Sequence, residues 1–302
     1  MTKMKPTNPY ILHLSTHDYG GAGLAALNIY MLHKKYGYDV DLMVKTSRSN
    51  NPNIILARLS FYRNFIPGLL AKTLSFFSKF GFLKNNSFYS LFDLGSYGVY
   101  ERIKHMPKIP DVVVLHWVAG FVGLKDLEKI SKLGIKILWF YMDMAPITGG
   151  CHFSYKCLDY VHGCNSCLPL SFPLISRLPR YNLAQKLSIF SRFNIKIVPV
   201  NKFVMHQVKS SYLSNNSSLS PCYIPIDSNL FSPKKFDPHG NIVFMFAGSS
   251  LTNPRKGGEY FLEALRILDS YLDTNSSTIP VSVIVPGLSK WSPGVSFKNI
   301  HS

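Results

Sequence analysis

The sequence predicts an α/β protein built on parallel sheets, and three observations carry that prediction. Apolar strand patterns alternate with helical ones along the first 210 or so residues, which is how a parallel sheet covered on both faces is written. A glycine-rich turn joins the first strand to the first helix. A second strand–turn–helix unit then begins afresh after a proline-containing connector.

The elements follow in order. Pro9 to Thr16 reads as a buried strand, and Tyr19-Gly20-Gly21-Ala22-Gly23 as its turn. The following helix carries Leu24, Leu27, Met31 and Leu32 on one side. Asp39 to Val44, Val112 to Leu115 and Ile135 to Tyr141 read as further strands, with an amphipathic helix from about Leu124 to Leu133 between the last two. Ile195 to Val200 makes another strand, and Asn201 can cap a helix running to about Leu213. The run Ser214 to Pro221 and the three prolines after Ile224 mark a linker. Beyond it come strand Ile242 to Ala247, turn Gly248 to Pro254, helix Gly257 to Leu272 and strand Val281 to Val285. This divides the chain into a domain over 1–220, a connector over 221–240 and a partial domain over 241–302. Two strands and one helix cannot close a separate core of useful size.

With 46% apolar and 14% aromatic residues, the 302-residue chain can bury a substantial core and is not a disordered tail. The apolar run Tyr10 to Leu14 is broken by His13 and too short for a signal-peptide core. No stretch has the roughly 18 charge-free apolar residues of a membrane span. These features predict a cytoplasmic protein with reduced cysteines.

The net charge is +17, with seven Lys/Arg and no Asp/Glu between Val44 and Phe92, and seven more between Tyr160 and Ile226. Such stretches suit an anionic partner, whether phosphate, nucleic acid or an inner membrane leaflet, or simply form a solvated basic surface. No RNA- or DNA-reading module accompanies the charge, so no nucleic-acid partner is expected. Within Phe61 to Lys84, Leu70, Leu74 and Phe77 oppose Lys72, Ser75 and Lys79, a pattern for either an interfacial membrane helix or a core helix with a wet edge.

Between Met142 and Cys167 the chain packs four of its five cysteines and two histidines into one loop. Cys151, Cys157, Cys164 and Cys167 are spaced C-x5-C-x6-C-x2-C. That spacing fits a structural zinc ion or ordinary buried thiols. Four thiolates would leave no open coordination position, so no catalytic metal is expected. His152, beside Cys151, is an alternative ligand. His116 and His152 both follow strands, at the sheet edge where open α/β folds bind ligands, and could hold a hydroxyl, move a proton or serve as hydrogen-bonded structure.

Three segments resemble the family-4 glycosyltransferases of the two-domain GT-B fold, in particular the bacterial branch that builds exopolysaccharide and O-antigen. They are HLSTHDYGGAGLAALNIYMLHKKYGYDVDLMV, the TGGCH-containing cysteine loop, and the stretch from IPIDSNLF through FAGSSLTNPRKGGEYFLEAL. The resemblance implies a Rossmann-like acceptor-side domain followed by an incomplete Rossmann-like donor domain. It implies retaining transfer of a sugar from a nucleotide-diphosphate donor to a saccharide acceptor, lipid-linked and reached at the inner membrane face. Gly20, Gly21, Gly23, Gly248, Arg255 and Lys256 would border the donor, with Lys256 on its diphosphate. Asp143, His116 and His152 would stand at the reacting centre. Two departures qualify the match. Met142 occupies the position before Asp143 where related enzymes often carry His, and the family's Glu-x7-Glu motif does not appear before Ser302. A catalytically inactive, truncated homologue that binds saccharide or membrane is the alternative expectation.

Overall fold

A computed structural model of the chain describes residues 8–59, 95–165, 167, 176–193, 195–213, 219–233, 240–248, 251, 254–275, 279–286 and 297–301. The basic amphipathic segment from Phe61 to Lys84 lies outside them. The chain divides into two compact units, Met1–Asp227 and Ser228–Ser302, parted within the proline-containing connector.

In the first unit the apolar runs become strands of one parallel sheet. These are β1 (Tyr10–His17), β2 (Asp39–Thr46), β3 (Ile54–Leu56), β4 (Val112–Leu115), β5 (Lys136–Tyr141) and β6 (Ile195–Pro199). Their spatial order is β3-β2-β1-β4-β5-β6, all parallel, as in a Rossmann-like sheet. The helices are α1 (Gly20–Lys35), α2 (Val99–Lys104), α3 (Leu124–Lys132), α4 (Leu178–Arg192) and α5 (Lys202–Ser210). Asn201 does cap α5, its side-chain oxygen accepting from the Val204 N–H at 2.8 Å.

Helix α1 packs on the sheet through a face rich in small residues. Its buried side is Gly23, Ala25, Ala26, Ile29 and Tyr30, whereas Leu24 and Met31 are 52% and 50% exposed. Small residues win this face because the helix packs close against the end of β1. A Cβ on Gly23 would lie 2.7 Å from the His17 carbonyl oxygen, so a leucine-lined face could not seat there.

Asp126, fully buried in the first turn of α3, organises the neighbouring segment. Its carboxylate accepts from the Tyr97 N–H (2.7 Å), the Gly123 N–H (3.2 Å), the Tyr100 N–H (3.3 Å) and the Ser96 hydroxyl (2.6 Å). One side chain thus satisfies the open N-termini of both α2 and α3. Asp126→Ala strands three backbone donors in a dry interior, at about 3 kcal/mol or more. The expected result is a Tm lower by roughly 6–12 °C by circular dichroism; a shift within error would mean that water replaces the carboxylate.

The second unit contains β7 (Ile242–Met245), α6 (Gly258–Thr274), β8 (Val281–Ile284) and β9 (Ile300–His301), in the sheet order β7-β8-β9. Leu265, Leu272, Val281, Val283 and Ile300 form its core. The third strand was not expected from the sequence. In chain order these strands repeat the β1-β2-β3 half of the first sheet. Strand β7 has the continuous apolar sequence of a central strand, yet Ile242, Val243, Phe244 and Met245 are 40–67% exposed in a sheet of three described strands.

Candidate functional site

In an open parallel sheet the place where strand order reverses leaves a crevice outside the carboxyl ends of the strands. Here the reversal falls between β1 and β4, and the segments after β4 and β5 line one cleft. His116, Trp117, Met142, Asp143, His152 and Lys186 contribute to its walls. The three residues expected at a reacting centre, Asp143, His116 and His152, are therefore brought to one place from three segments. The enclosed floor of the cleft holds about 40 Å³, room for a few waters rather than a sugar ring.

Asp143 is the hub of that floor. Its Oδ1 accepts from the Ala145 N–H at 3.0 Å, while Oδ2 accepts from Trp117 Nε1–H at 3.0 Å and lies in hydrogen-bond contact with His152 Nδ1. Trp117 Nε1 also lies 3.3 Å from His152 Nδ1. Indole N–H only donates, so the arrangement is satisfied when His152 carries its proton on Nδ1 and both donors share the Asp143 oxygen. A neutral His152 then has Nε2 as its acceptor, the tautomer of a base oriented by a carboxylate. Met142, the departure noted in the sequence, packs partly buried against the core and adds no proton chemistry.

The cysteine loop is held from behind by α4. Lys186, almost fully buried, donates to the Ala145 and Thr148 carbonyls at 2.6 and 2.8 Å, and Asn182 donates to the Gly149 carbonyl at 2.9 Å. Gly149 passes so close to α4 that a Cβ there would meet the Pro179 carbonyl oxygen at 2.4 Å. The Thr148-Gly149-Gly150 sequence thus serves close packing, which positions His152 two residues on. Sequence reasoning missed Lys186 and Asn182, because nothing in α4 itself marks them as partners of a loop more than thirty residues earlier.

All five cysteines are free thiols. Burial pushes the Cys151 thiol up to about 11 and the Cys164 thiol up to about 12, so both are protonated at neutral pH. Cys164 Sγ accepts from the Gly149 N–H at 3.3 Å, a packing role. Among the described residues, which include Cys151, Cys157, Cys164 and Cys167, no three His, Cys, Asp or Glu side chains are grouped to hold a metal ion. Cys151 lies within electrostatic range of Cys157 and Cys167, and Cys164 of Cys151 and Cys157, so the thiols of the loop neighbour one another.

Gly20, Gly21 and Gly23 begin α1 rather than forming a separate turn. Beside them the buried Asp18, unnoticed in the sequence, accepts from the Ser47 and Ser49 hydroxyls and from the Arg48 and Ser49 N–H groups. Burial alone would raise its carboxyl, but these hydrogen bonds outweigh burial and hold it below the ordinary carboxylate value. The loop after β2 is so tied to the start of α1, and Arg48 lies over the Tyr19 ring at 4.1 Å. Thr46 and Tyr19 flank His17, whose ring nitrogen Nδ1 is 2.6 Å from Thr46 Oγ1.

In the second unit, Gly248 follows β7, and a Cβ there would stand 3.8 Å from the Lys256 Cβ. Arg255 and Lys256 occupy a short 3-10 turn, Pro254–Lys256, directly before α6, and both are exposed. The basic pair thus sits at the positive end of a helix of 17 residues. Among the described residues no helix is long and apolar enough to cross a membrane.

No protein-family model matches this chain, and no curated protein is significantly similar to it.

Proposed function

We propose that the chain is a retaining glycosyltransferase of the GT-B type, moving a sugar from a nucleotide-diphosphate donor to a saccharide acceptor in cell-surface polysaccharide synthesis. The observation that carries the reading is the Asp143–His152 pair at the strand ends, with Trp117 sharing the carboxylate. An acceptor hydroxyl over this floor can donate a hydrogen bond to His152 Nε2 and attack on the leaving-group face of the donor, its proton passing to the departing diphosphate, as retention requires. Departure of the diphosphate needs fixed positive charge, and Arg255, Lys256 and the free N–H groups of α6 are of the right kind. Gly248 lies close to Lys256, and a Cβ there would crowd the Phe246 ring at 3.0 Å. A lipid-linked acceptor and contact with an anionic inner leaflet belong to the same proposal.

The test is a panel of nucleotide-diphosphate sugars offered with saccharide and lipid-linked saccharide acceptors, following nucleoside diphosphate release. Turnover with any pair supports the reading; none from folded protein with every donor removes it. Lys256→Ala should lower turnover about 100-fold while changing stability by less than about 0.5 kcal/mol, since the side chain is exposed. Unchanged turnover would take Lys256 out of the donor site.

A second reading, a saccharide- or membrane-binding homologue without turnover, is favoured by the second unit alone. Strand β7 is exposed there beside only two other described strands. Saturation-transfer NMR showing saccharide binding without turnover would select it.

A further inference from the structure

A histidine in the middle of a buried strand has to pair both ring nitrogens or leave one stranded. His13 is such a residue, fully buried between Leu12 and Leu14 in β1. Its Nδ1 lies 2.9 Å from His116 Nε2, and its Nε2 lies 3.0 Å from His33 Nδ1. The parallel pairing of β1 with β4, which continues through the His116 N–H to the Leu14 carbonyl, sets the first contact. The packing of α1 on the sheet sets the second.

The two ends of this chain of rings differ. His116 is buried in the wall of the cleft that holds Asp143 and His152, and its ring stacks on Phe140 at 5.5 Å. Its Nδ1 has no hydrogen-bond partner among the described residues. His33 stands in the last turn of α1, partly exposed. Three imidazoles therefore lead from the cleft wall to the surface.

A neutral imidazole donates from one nitrogen and accepts at the other, so a neutral His13 forces both hydrogen bonds to run in one direction. In one state all three rings carry their proton on Nε2. His116 Nδ1 is then a lone pair, and His33 has an N–H outward. In the other state all three carry it on Nδ1, and those roles are exchanged. The states interconvert by proton movement alone. A proton taken up at His116 Nδ1 sends the His116 Nε2 proton to His13 Nδ1. The His13 Nε2 proton then passes to His33 Nδ1, and the His33 Nε2 proton leaves to water. One proton enters, one leaves, and no charge remains in the core. The reverse sequence resets the chain and delivers a proton to the cleft. Burial, together with their mutual proximity, holds His13 and His116 well below the ordinary histidine value, and burial also lowers His33, so the resting rings are neutral.

We propose that His116, His13 and His33 form a proton relay between the cleft at the strand ends and the surface of α1. The proposal concerns the cleft whatever its substrate, so it can stand or fall separately from sugar transfer. It also gives a purpose to the one polar residue that interrupts the apolar run of β1.

The test uses the full chain labelled with 15N in its histidine rings and long-range 1H–15N correlation near neutral pH. The relay requires His13, His33 and His116 to be neutral and to share one tautomer, or one average of the two; opposite tautomers, or a charged ring at rest, overturn it. This measurement needs no variant. His33→Gln then breaks the surface end while leaving a polar residue at a partly exposed position. A carboxamide separates its donor and acceptor on different atoms and passes no proton at neutral pH. Solvent exchange of the buried ring protons of His13 and His116 should slow about tenfold or more, with backbone amide exchange in β1 and β4 unchanged. Equal ring exchange in His33→Gln and the unaltered chain would show that protons do not travel this way.

Discussion

Asp143→Asn is expected to abolish turnover, by about 100- to 10,000-fold, while leaving the fold in place. The amide keeps an oxygen for the Ala145 N–H, which now bonds Oδ1 at 3.0 Å. It then turns its NH2 toward Trp117 Nε1 and His152 Nδ1, two atoms that currently donate to one carboxylate oxygen. Two facing donors repel, so His152 must present Nδ1 as an acceptor and carry its proton on Nε2. The imidazole keeps its place but loses the lone pair that would hold the acceptor hydroxyl. A 15N histidine spectrum reads this tautomer change directly, with or without a substrate. Asp143→Ala should lose as much activity and also about 1–3 kcal/mol of stability, because the Ala145 N–H loses its acceptor. If Asp143→Asn turned over normally, the Asp143–His152 pair would be a structural tie and the proposed acceptor chemistry would have to lie elsewhere.

The second large effect expected is a loss of stability in mild acid. His13 and His116 are buried as neutral rings whose folded values lie below the unfolded value near 6.5, His116 at about 3. Above pH 6.5 both states of the chain hold these rings neutral, and stability is full. As the pH falls below 6.5 the unfolded chain binds protons that the folded chain refuses, so stability drops. The drop is about 1.4 kcal/mol per pH unit for each such ring. By pH 5 His116 alone removes about 2 kcal/mol of the 5–15 kcal/mol that holds a typical domain, and His13 adds in the same direction. His33 is lowered as well and adds in the same direction. Asp18, with its carboxyl held below the ordinary value, keeps its contribution until stronger acid, where it is lost from below the unfolded carboxylate value down through its folded one. Urea unfolding at pH 8, 6.5 and 5 checks this. A midpoint falling only below 6.5 is the expected result, and a flat midpoint down to pH 5 would mean that the rings charge without unfolding the core.

The proton relay and the Asp143–His152 pair share one cleft wall but answer different questions. The pair orients a base; the relay connects the same cleft to water. Lys186 and Asn182 tie the pair to the cysteine loop, because they fix the segment that carries His152.

Much of this was legible in the sequence. The apolar runs of β1, β2, β4, β5 and β6 set their own periodicity, Asn201 announced the start of α5, and the loop from Met142 to Cys167 stood out by composition. These are local signals, carried by neighbours within a few positions, and local preference is enough to form them. What spacing along the chain left undecided is which side of a helix meets the sheet and which strands lie side by side. The spacing of leucines along α1 did not show that Gly23, Ala25, Ala26, Ile29 and Tyr30 are its buried set, which follows from the close approach at Gly23. The cysteines stood out by spacing, and only the tertiary structure shows Cys164 buried with its Sγ accepting from the Gly149 N–H. His13 and His116 are more than a hundred residues apart, and only the placing of β4 beside β1 makes them a pair. Strand order is set by the summed burial of a whole sheet, not by any one segment, and so a residue's chemistry here follows from the strand that happens to stand next to it.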